Sequence, residues 1–421
     1  MSQASRILLS LLLGLVVGVA LAAWAPAVAA TAVAIADPIG TAWLSALQMT
    51  VIPLVVALIV TGVAQTAAAA SAGRTAGRAI ALFITAVFVT GTIAALVTPL
   101  ILRVAPVPAA AAASLRNALQ GATPVTPPPP LAEFFTTLIP TNVVAAAANN
   151  AFLSLIIFAL AFAFAVTRID PGARARLVDL FGAIRDAMLV LVGWILLLAP
   201  IGVFALALVV GGRAGGAAFG ALAHYIVVVA LVGVVIIALA YVLALAGGVG
   251  PARFGRAILP AQAVAASTQS SLATLPAMLT AANALAIPKR VSGVTLPVGV
   301  AMFRATQPAM NVAIAIYIAA WFGYPLEPAN LAAAVAVAAI VSLGSVSLPA
   351  QITYFASIAP VCAALGVPLA PLGLLIAVET IPDIFRTIGN VSMNLAATAF
   401  LARGAEPDTV AQPAEEPLPA A

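Results

Sequence analysis

The sequence predicts an all-α polytopic membrane protein: eight transmembrane helices plus two re-entrant helical hairpins that form inverted repeats. Three observations carry this reading. The 421 residues are 64% hydrophobic and only 7% charged, with a mean hydropathy of +1.21, whereas a soluble domain carries about 25% charged residues. Apolar runs recur at the length a helix needs to cross a bilayer, about 20 residues. Two later apolar stretches are each broken midway by Ser and Pro, which leaves arms too short to cross.

The same totals exclude several function classes. The 17 Lys and Arg residues are scattered singly or in pairs between apolar runs, where they act as topology signals and not as a nucleic-acid surface. A single cysteine, Cys362, rules out an intrachain disulfide and a cysteine-based metal cluster. His224 is the only histidine, which removes metal sites and Ser/His catalysis that need more.

Taken in order, Arg6 precedes an apolar run at 7–24 with small residues at 27–30. A cleaved signal peptide has that pattern too, but the run is long enough to span and the chain continues as a membrane protein, so it is read as an uncleaved first helix. Further spans are expected at 41–65, 79–102, 143–166, 187–210 and 219–245. With the N-terminus inside, the cytoplasmic connections receive Arg74, Arg78, Arg168, Arg174, Arg176, Arg185, Arg253 and Arg256, and only Arg103, Arg116 and Arg213 lie outside. That asymmetry sets the orientation. The outer connection 105–140, with TPPPP at 126–130, is expected to be extended. The tail 404–421, rich in Pro, Ala and acids, is expected to be disordered.

The first interrupted stretch, 251–288, carries STQSSLATLP at 267–276 and has basic residues at both ends, Arg253 and Arg256 before and Lys289 and Arg290 after. It is expected to enter from the cytoplasm and return there. The second, 329–367, carries SLGSVSLP at 342–349 with no Lys or Arg near either end, so it is expected to enter and return outside. Each is followed by a long apolar helix with an embedded arginine, 289–322 with Arg304 and 369–403 with Arg386. Backbone exposed at two opposed tips is tolerable only where it lines a cavity, and half-helix ends there can hold ions or carboxylates. The plain alternative, two kinked spanning helices, would leave Lys289 and Arg290 outside.

The last helix concentrates the polar chemistry. At 100° per residue, Glu379, Asp383, Arg386, Thr387, Asn390 and Asn394 fall within an arc of roughly 100°, and the rest of ETIPDIFRTIGNVSMN is largely apolar. Ionisable groups at membrane depth cost at least a few kcal/mol, so this stripe must face protein, water or a ligand. A guanidinium offers a planar fork suited to a carboxylate, which makes Arg386 the candidate anion ligand; the bland reading is a salt bridge with Asp383 or Glu379.

Six segments in order resemble the dicarboxylate/amino acid:cation symporter family, which includes the glutamate transporters: LQMTVIPLVVALIVTGVA (47–64), IPTNVVAAAANNAFLSLIIFALAFAFAV (139–166), LAPIGVFAL (198–206), STQSSLATLP, TLPVGVAMFRATQP (295–308) and DIFRTIGNVSMN (383–394). The resemblance covers residues 6–403 and implies a glutamate-transporter-like fold. It also implies a homotrimer in which a scaffold (helices 1–2 in 1–78; helices 4–5, with helix 6, in 141–250) carries a mobile transport domain. Helix 3 (79–104), the two hairpins and helices 7 (289–322) and 8 (369–403) belong to the transport side. By the same resemblance, Asp383 and Arg386 match positions that touch a substrate's amino and carboxylate groups, and Thr387 and Asn390 match further contacts. Ser270 and Ser271 match contacts at the first tip, and Gly344, Ser345 and Pro349 belong to a second tip that closes over the site.

Departures from the family bear on the coupling ion. Where family members break helix 7 at Asn-Met-Asp-Gly-Thr, whose groups help hold sodium, this chain has Phe303, Arg304, Ala305, Thr306 and Gln307; an acid late in helix 8 is Asn394 here. Na⁺ needs oxygen ligands and is helped by a carboxylate. A fixed guanidinium at Arg304 would repel Na⁺ and favour an additional anion, unless it pairs with Glu379. The resemblance implies Na⁺ as coupling ion, whereas the lost ligands favour H⁺ on Glu379 or Asp383, or no coupling. No other cofactor is expected.

The reading is a symporter for a small carboxylate, either a dicarboxylate or an amino acid, in a bacterial inner membrane with both termini cytoplasmic. Its partners are the solute, the lipid bilayer and two further copies, and no nucleic acid. The alternatives are a proton-coupled or uncoupled exchanger and a passive anion channel. An intramembrane hydrolase is disfavoured, because the sole histidine lies in a different segment from the serines and both acids lie on one helix.

Overall fold

The computed structural model describes residues 3–71, 73–108, 112–113, 116, 139–149, 151–344 and 350–404, and among them there is no β-strand. Four helices come first: α1 (Gln3–Trp24), α2 (Pro26–Gln48), α3 (Val51–Ser71) and α4 (Arg74–Val104). After the outer connection follow α5 (Val143–Ala148), α6 (Phe152–Val166), α7 (Pro171–Leu197), α8 (Ala199–Ala214) and α9 (Ala217–Ala246). The C-terminal part holds α10 (Pro251–Thr268), α11 (Leu275–Ala284), α12 (Lys289–Met302), α13 (Thr306–Phe322), α14 (Pro328–Gly344), α15 (Ala350–Leu365), the short α16 (Leu372–Leu375) and α17 (Thr380–Leu401).

Three expected spans are corrected, because 41–65, 143–166 and 187–210 are each two helices and not one. Breaks fall at Met49 and Thr50, between Ala148 and Phe152, and at Leu198. Proline explains most of the punctuation. It lacks the N–H that would bond back four residues, so it sits without cost in a first turn but not in a helix interior. Pro53, Pro200, Pro276, Pro308 and Pro382 each lie in the first turn of a helix that starts just after a break. At the first break the hydroxyl of Thr50 donates to the Leu47 carbonyl (2.7 Å), which occupies an acceptor left over at the end of α2.

Six helical segments among the described residues are long and apolar enough to cross a membrane. They and their neighbours pack in two groups. In one, α8 lies along α1 and α2, while α3 packs on α6 and α7. In the other, α17 lies along α9, α10 and α12, and α13 packs on α4, α14 and α15. The α3 helix also touches α14 and so joins the groups. Large apolar side chains remain exposed on outward faces, including Leu13, Val16, Trp194, Leu197, Val227 and Val242, which suits a lipid-facing perimeter. By contrast α13 is buried from Thr306 to Ala319, so it is the centre of the second group.

Both interrupted stretches are helix pairs. The arms α10 and α11 pack on each other, as do α14 and α15. The first pair turns at 269–274, where Gln269 ends α10 in the left-handed region (φ +51°). The second turn, with Ser345 and Pro349, lies outside the described residues, as do the tail 405–421 and most of the outer connection with its TPPPP. The sole histidine, His224, bonds through Nδ1 to the Tyr317 hydroxyl (3.0 Å) and through Nε2 to the Ala105 carbonyl (3.1 Å). Cys362 is fully buried.

Candidate functional site

The site forms where the first turns of α17 meet the tip between α10 and α11 and the break between α12 and α13. The stripe read on α17 is buried: Glu379 is 0% exposed, and Asp383, Arg386, Thr387, Asn390 and Asn394 are all buried as well. Two glycines let the neighbouring segments come this close. A methyl group on Gly389 would overlap Thr306, and one on Gly299 would overlap the Asn394 amide.

Arg386 is the hub. Its Nη2 lies 2.5 Å from Glu379 Oε1 and its Nη1 donates to Asp383 Oδ1 at 3.2 Å. Both readings of Arg386 therefore meet the same fact, since it is salt-bridged to each candidate acid while its Nε is buried with no hydrogen-bond acceptor among the described residues. Removing one member of a buried pair leaves an uncompensated charge and costs about 3–5 kcal/mol, so the acids hold Arg386 in one pose. Glu379 is anchored from behind, because its Oε2 accepts from the Tyr225 hydroxyl (3.0 Å), which lies 3.3 Å from the Tyr354 hydroxyl.

The break between α12 and α13 is secured by amides of α17. Asn390 Oδ1 accepts from the Thr306 backbone N–H (2.9 Å) at the open start of α13. The Asn394 amide donates to the Phe303 carbonyl (3.2 Å) and to the Asn390 carbonyl (2.9 Å). Phe303 also stacks on Phe83 of α4, with centroids 4.3 Å apart. Pro308, in the first turn of α13, has no N–H to give the Arg304 carbonyl, which takes the Gln307 N–H instead (3.1 Å). On the hairpin side, Gln269 Nε2 donates to the Thr380 carbonyl (2.9 Å), which ties the tip to the start of α17.

These elements enclose a polar cavity of about 30 Å³, lined by Gln269, Ser271, Arg304, Gln307, Thr353, Ser357, Asp383, Arg386, Thr387 and Asn390. That is room for about one water. Of the residues singled out from the sequence, Ser271, Arg304, Gln307, Asp383, Arg386, Thr387 and Asn390 are thus brought together. Glu379 lies behind Arg386, and Asn394 lies at the helix break. Ser270 is not on the cavity; its hydroxyl accepts from the Ala273 N–H (3.3 Å). Gly344 ends α14, while Ser345 and Pro349 lie outside the described residues. The expected alternative of an Arg304–Glu379 ion pair is corrected, because Glu379 pairs with Arg386.

Sequence reasoning missed Tyr225, Tyr354, Gln269, Thr353 and Ser357. A signal existed for the tyrosines, since a phenol inside an apolar helix needs a partner when buried. Which partner it finds depends on the packing of α9, α15 and α17, which no local pattern encodes.

A model of the sodium:dicarboxylate symporter family matches residues 4–403. The chain is similar to "Neutral amino acid transporter B(0)" of Oryctolagus cuniculus, 28% identical over 63% of this chain and 51% of that one. It is also similar to "Neutral amino acid transporter A" of Homo sapiens, 27% identical over 57% of this chain and 45% of that protein. The "Proton/sodium-glutamate symport protein" of Bacillus subtilis (strain 168) is 26% identical over 60% and 58%. The chain thus spans about half the length of these relatives.

Substituting Tyr225→Phe removes the donor to the buried Glu379 carboxylate. The expected result is a loss of about 1–3 kcal/mol, measured as a lower thermal midpoint in detergent with helical content retained.

Proposed function

This chain belongs to the sodium:dicarboxylate symporter family, and from that premise we propose that it is a secondary transporter carrying a small carboxylate-bearing solute across a bacterial inner membrane. The family name and the relatives' names support a dicarboxylate or an amino acid as the solute. In this reading the protein works as a homotrimer with both termini cytoplasmic. The group around α13 and α17 moves past the group around α1 and α8 as an elevator.

The observation that carries the reading is Arg386, buried on a polar cavity and held by two acids. A solute carboxylate displaces Asp383 from Nη1 and takes the guanidinium edge, while Glu379 keeps Nη2 and the pose. Asp383, released, is then free to receive an ammonium group if the solute carries one. Thr387 and Ser271 supply hydroxyls beside it. A cavity of about 30 Å³ is too small for such a solute, so entry requires it to widen, which suits alternating access better than a continuous anion channel.

The coupling ion is proposed not to be sodium. The Phe303 carbonyl at the helix break and the Asn390 carbonyl of α17 already receive N–H donors from Asn394. A cation there would have to displace those donors and would gain no carboxylate in return. Transport is then proton-coupled or uncoupled exchange, with Glu379 or Asp383 as the proton carrier.

Arg386→Lys, which keeps the charge that balances the two acids but loses the planar fork, is expected to abolish counterflow of labelled substrate in proteoliposomes while the protein still elutes as a folded trimer; full counterflow in that variant would refute the ligand role. Na⁺ in place of K⁺ is expected to leave substrate binding by the native protein within about twofold. Asn394→Asp, which removes the donors and adds a carboxylate, is expected to create a Na⁺-dependent rise in thermal midpoint. Steep Na⁺ stimulation of the native protein would contradict the assignment.

A further inference from the structure

A second and much larger cavity lies away from the polar cluster, between the two packing groups. It is an open crevice of about 1490 Å³, walled by α3, α6 and α7 on one side and by α4 and α14 on the other. Most of its lining is apolar, with Ile84, Phe88, Leu160 and Phe164 among the residues, and both phenylalanines are exposed. The charged residues that line it are Arg168 and Arg174, and no acid does. Arg174, near the start of α7, reaches back toward Arg168, because its Nη1 donates to the Thr167 carbonyl (3.4 Å). The acid between them in sequence, Asp170, is occupied as the cap of α7, where its Oδ2 accepts from the Gly172 and Ala173 N–H groups (2.9 and 3.3 Å). Neither arginine is in a salt bridge among the described residues.

The crevice thus joins a long apolar interior to a basic rim. A free phosphate would use the arginines and leave the walls bare, and a hydrocarbon would do the reverse. One molecule with both parts answers the whole surface. We propose that the crevice binds an anionic phospholipid of the cytoplasmic leaflet, with its phosphate on Arg168 and Arg174 and its acyl chains on the walls. Basic pockets between membrane helices on the cytoplasmic side suit such headgroups, because anionic lipids are enriched in that leaflet. The lipid sits between the groups that the transporter reading moves past each other, so it is placed to bias their relative position. That consequence rests on the transporter reading, whereas the binding is measured without transport.

The test is native mass spectrometry of the purified full-length protein, titrated with dioleoyl phosphatidylglycerol or with dioleoyl phosphatidylcholine, which has the same chains. The anionic lipid is expected to bind at least about tenfold tighter. The double variant Arg168→Gln, Arg174→Gln is expected to erase that preference. Arg176→Gln removes an arginine of the same helix that does not line the crevice, and is expected to leave the preference nearly unchanged. Ala175→Trp, which fills the crevice and keeps both arginines, is expected to lower the binding of both lipids. Thermal midpoints separate loss of fold from loss of binding. Equal binding of the two lipids by the native protein, or an equal loss of preference in Arg176→Gln, would overturn the proposal. A changed oligomeric state in Ala175→Trp with lipid binding intact would give the crevice to a second copy, and would overturn it too. If Arg386→Lys transports normally while the lipid preference holds, the ligand role of Arg386 fails and the lipid site stands.

Discussion

The structure depends on one buried ionic cluster, Glu379–Arg386–Asp383 at the start of α17. Three ionisable groups within eight residues at the start of a buried helix are tolerated because they satisfy one another and because α9 supplies Tyr225 behind them. That constraint dictates much of the surrounding packing. The α17 helix must be enclosed by α9, α10, α12 and α13, and the tip between α10 and α11 must close against its first turn through Gln269. Apolar packing alone would not require a turn of polar backbone to sit there.

In the transporter reading, the two acids of this cluster have different tasks. Glu379 is wholly buried and doubly bonded, so it is the member that holds the guanidinium in place. Asp383 makes the longer contact at 3.2 Å and borders the cavity, so it is the member that a solute can displace. One acid therefore holds the guanidinium, and the other yields it. The break at Phe303–Ala305 adds a third part. Asn390 and Asn394 satisfy its backbone with neutral amides, which lets Arg304 face the cavity from a non-helical segment.

Much of this was legible in the residues. The polar stripe on α17 was visible from helical spacing alone, and every member of it is buried where the sequence placed it. The two interrupted stretches were visible from their Ser and Pro and proved to be helix pairs. The breaks at Met49 and Leu198 were readable in principle from Pro53 and Pro200, but long apolar runs concealed them, because hydropathy reports burial and not backbone continuity. The pairing inside the cluster was not legible. Spacing alone allowed Glu379 to pair with either Arg304 or Arg386, and the structure pairs it with Arg386 two turns further along the same helix. Tyr225 and Tyr354 come from helices far away in the chain, so their convergence on Glu379 is a property of the packed structure.

The most direct measurement is an anomalous-scattering map of the protein crystallised with bromosuccinate. The account predicts a bromine peak inside the cavity bounded by Ser271, Arg304 and Arg386, with Asp383 withdrawn from Nη1 and Glu379 still on Nη2. A peak elsewhere, with the Arg386–Asp383 bond unchanged at full ligand occupancy, would contradict it.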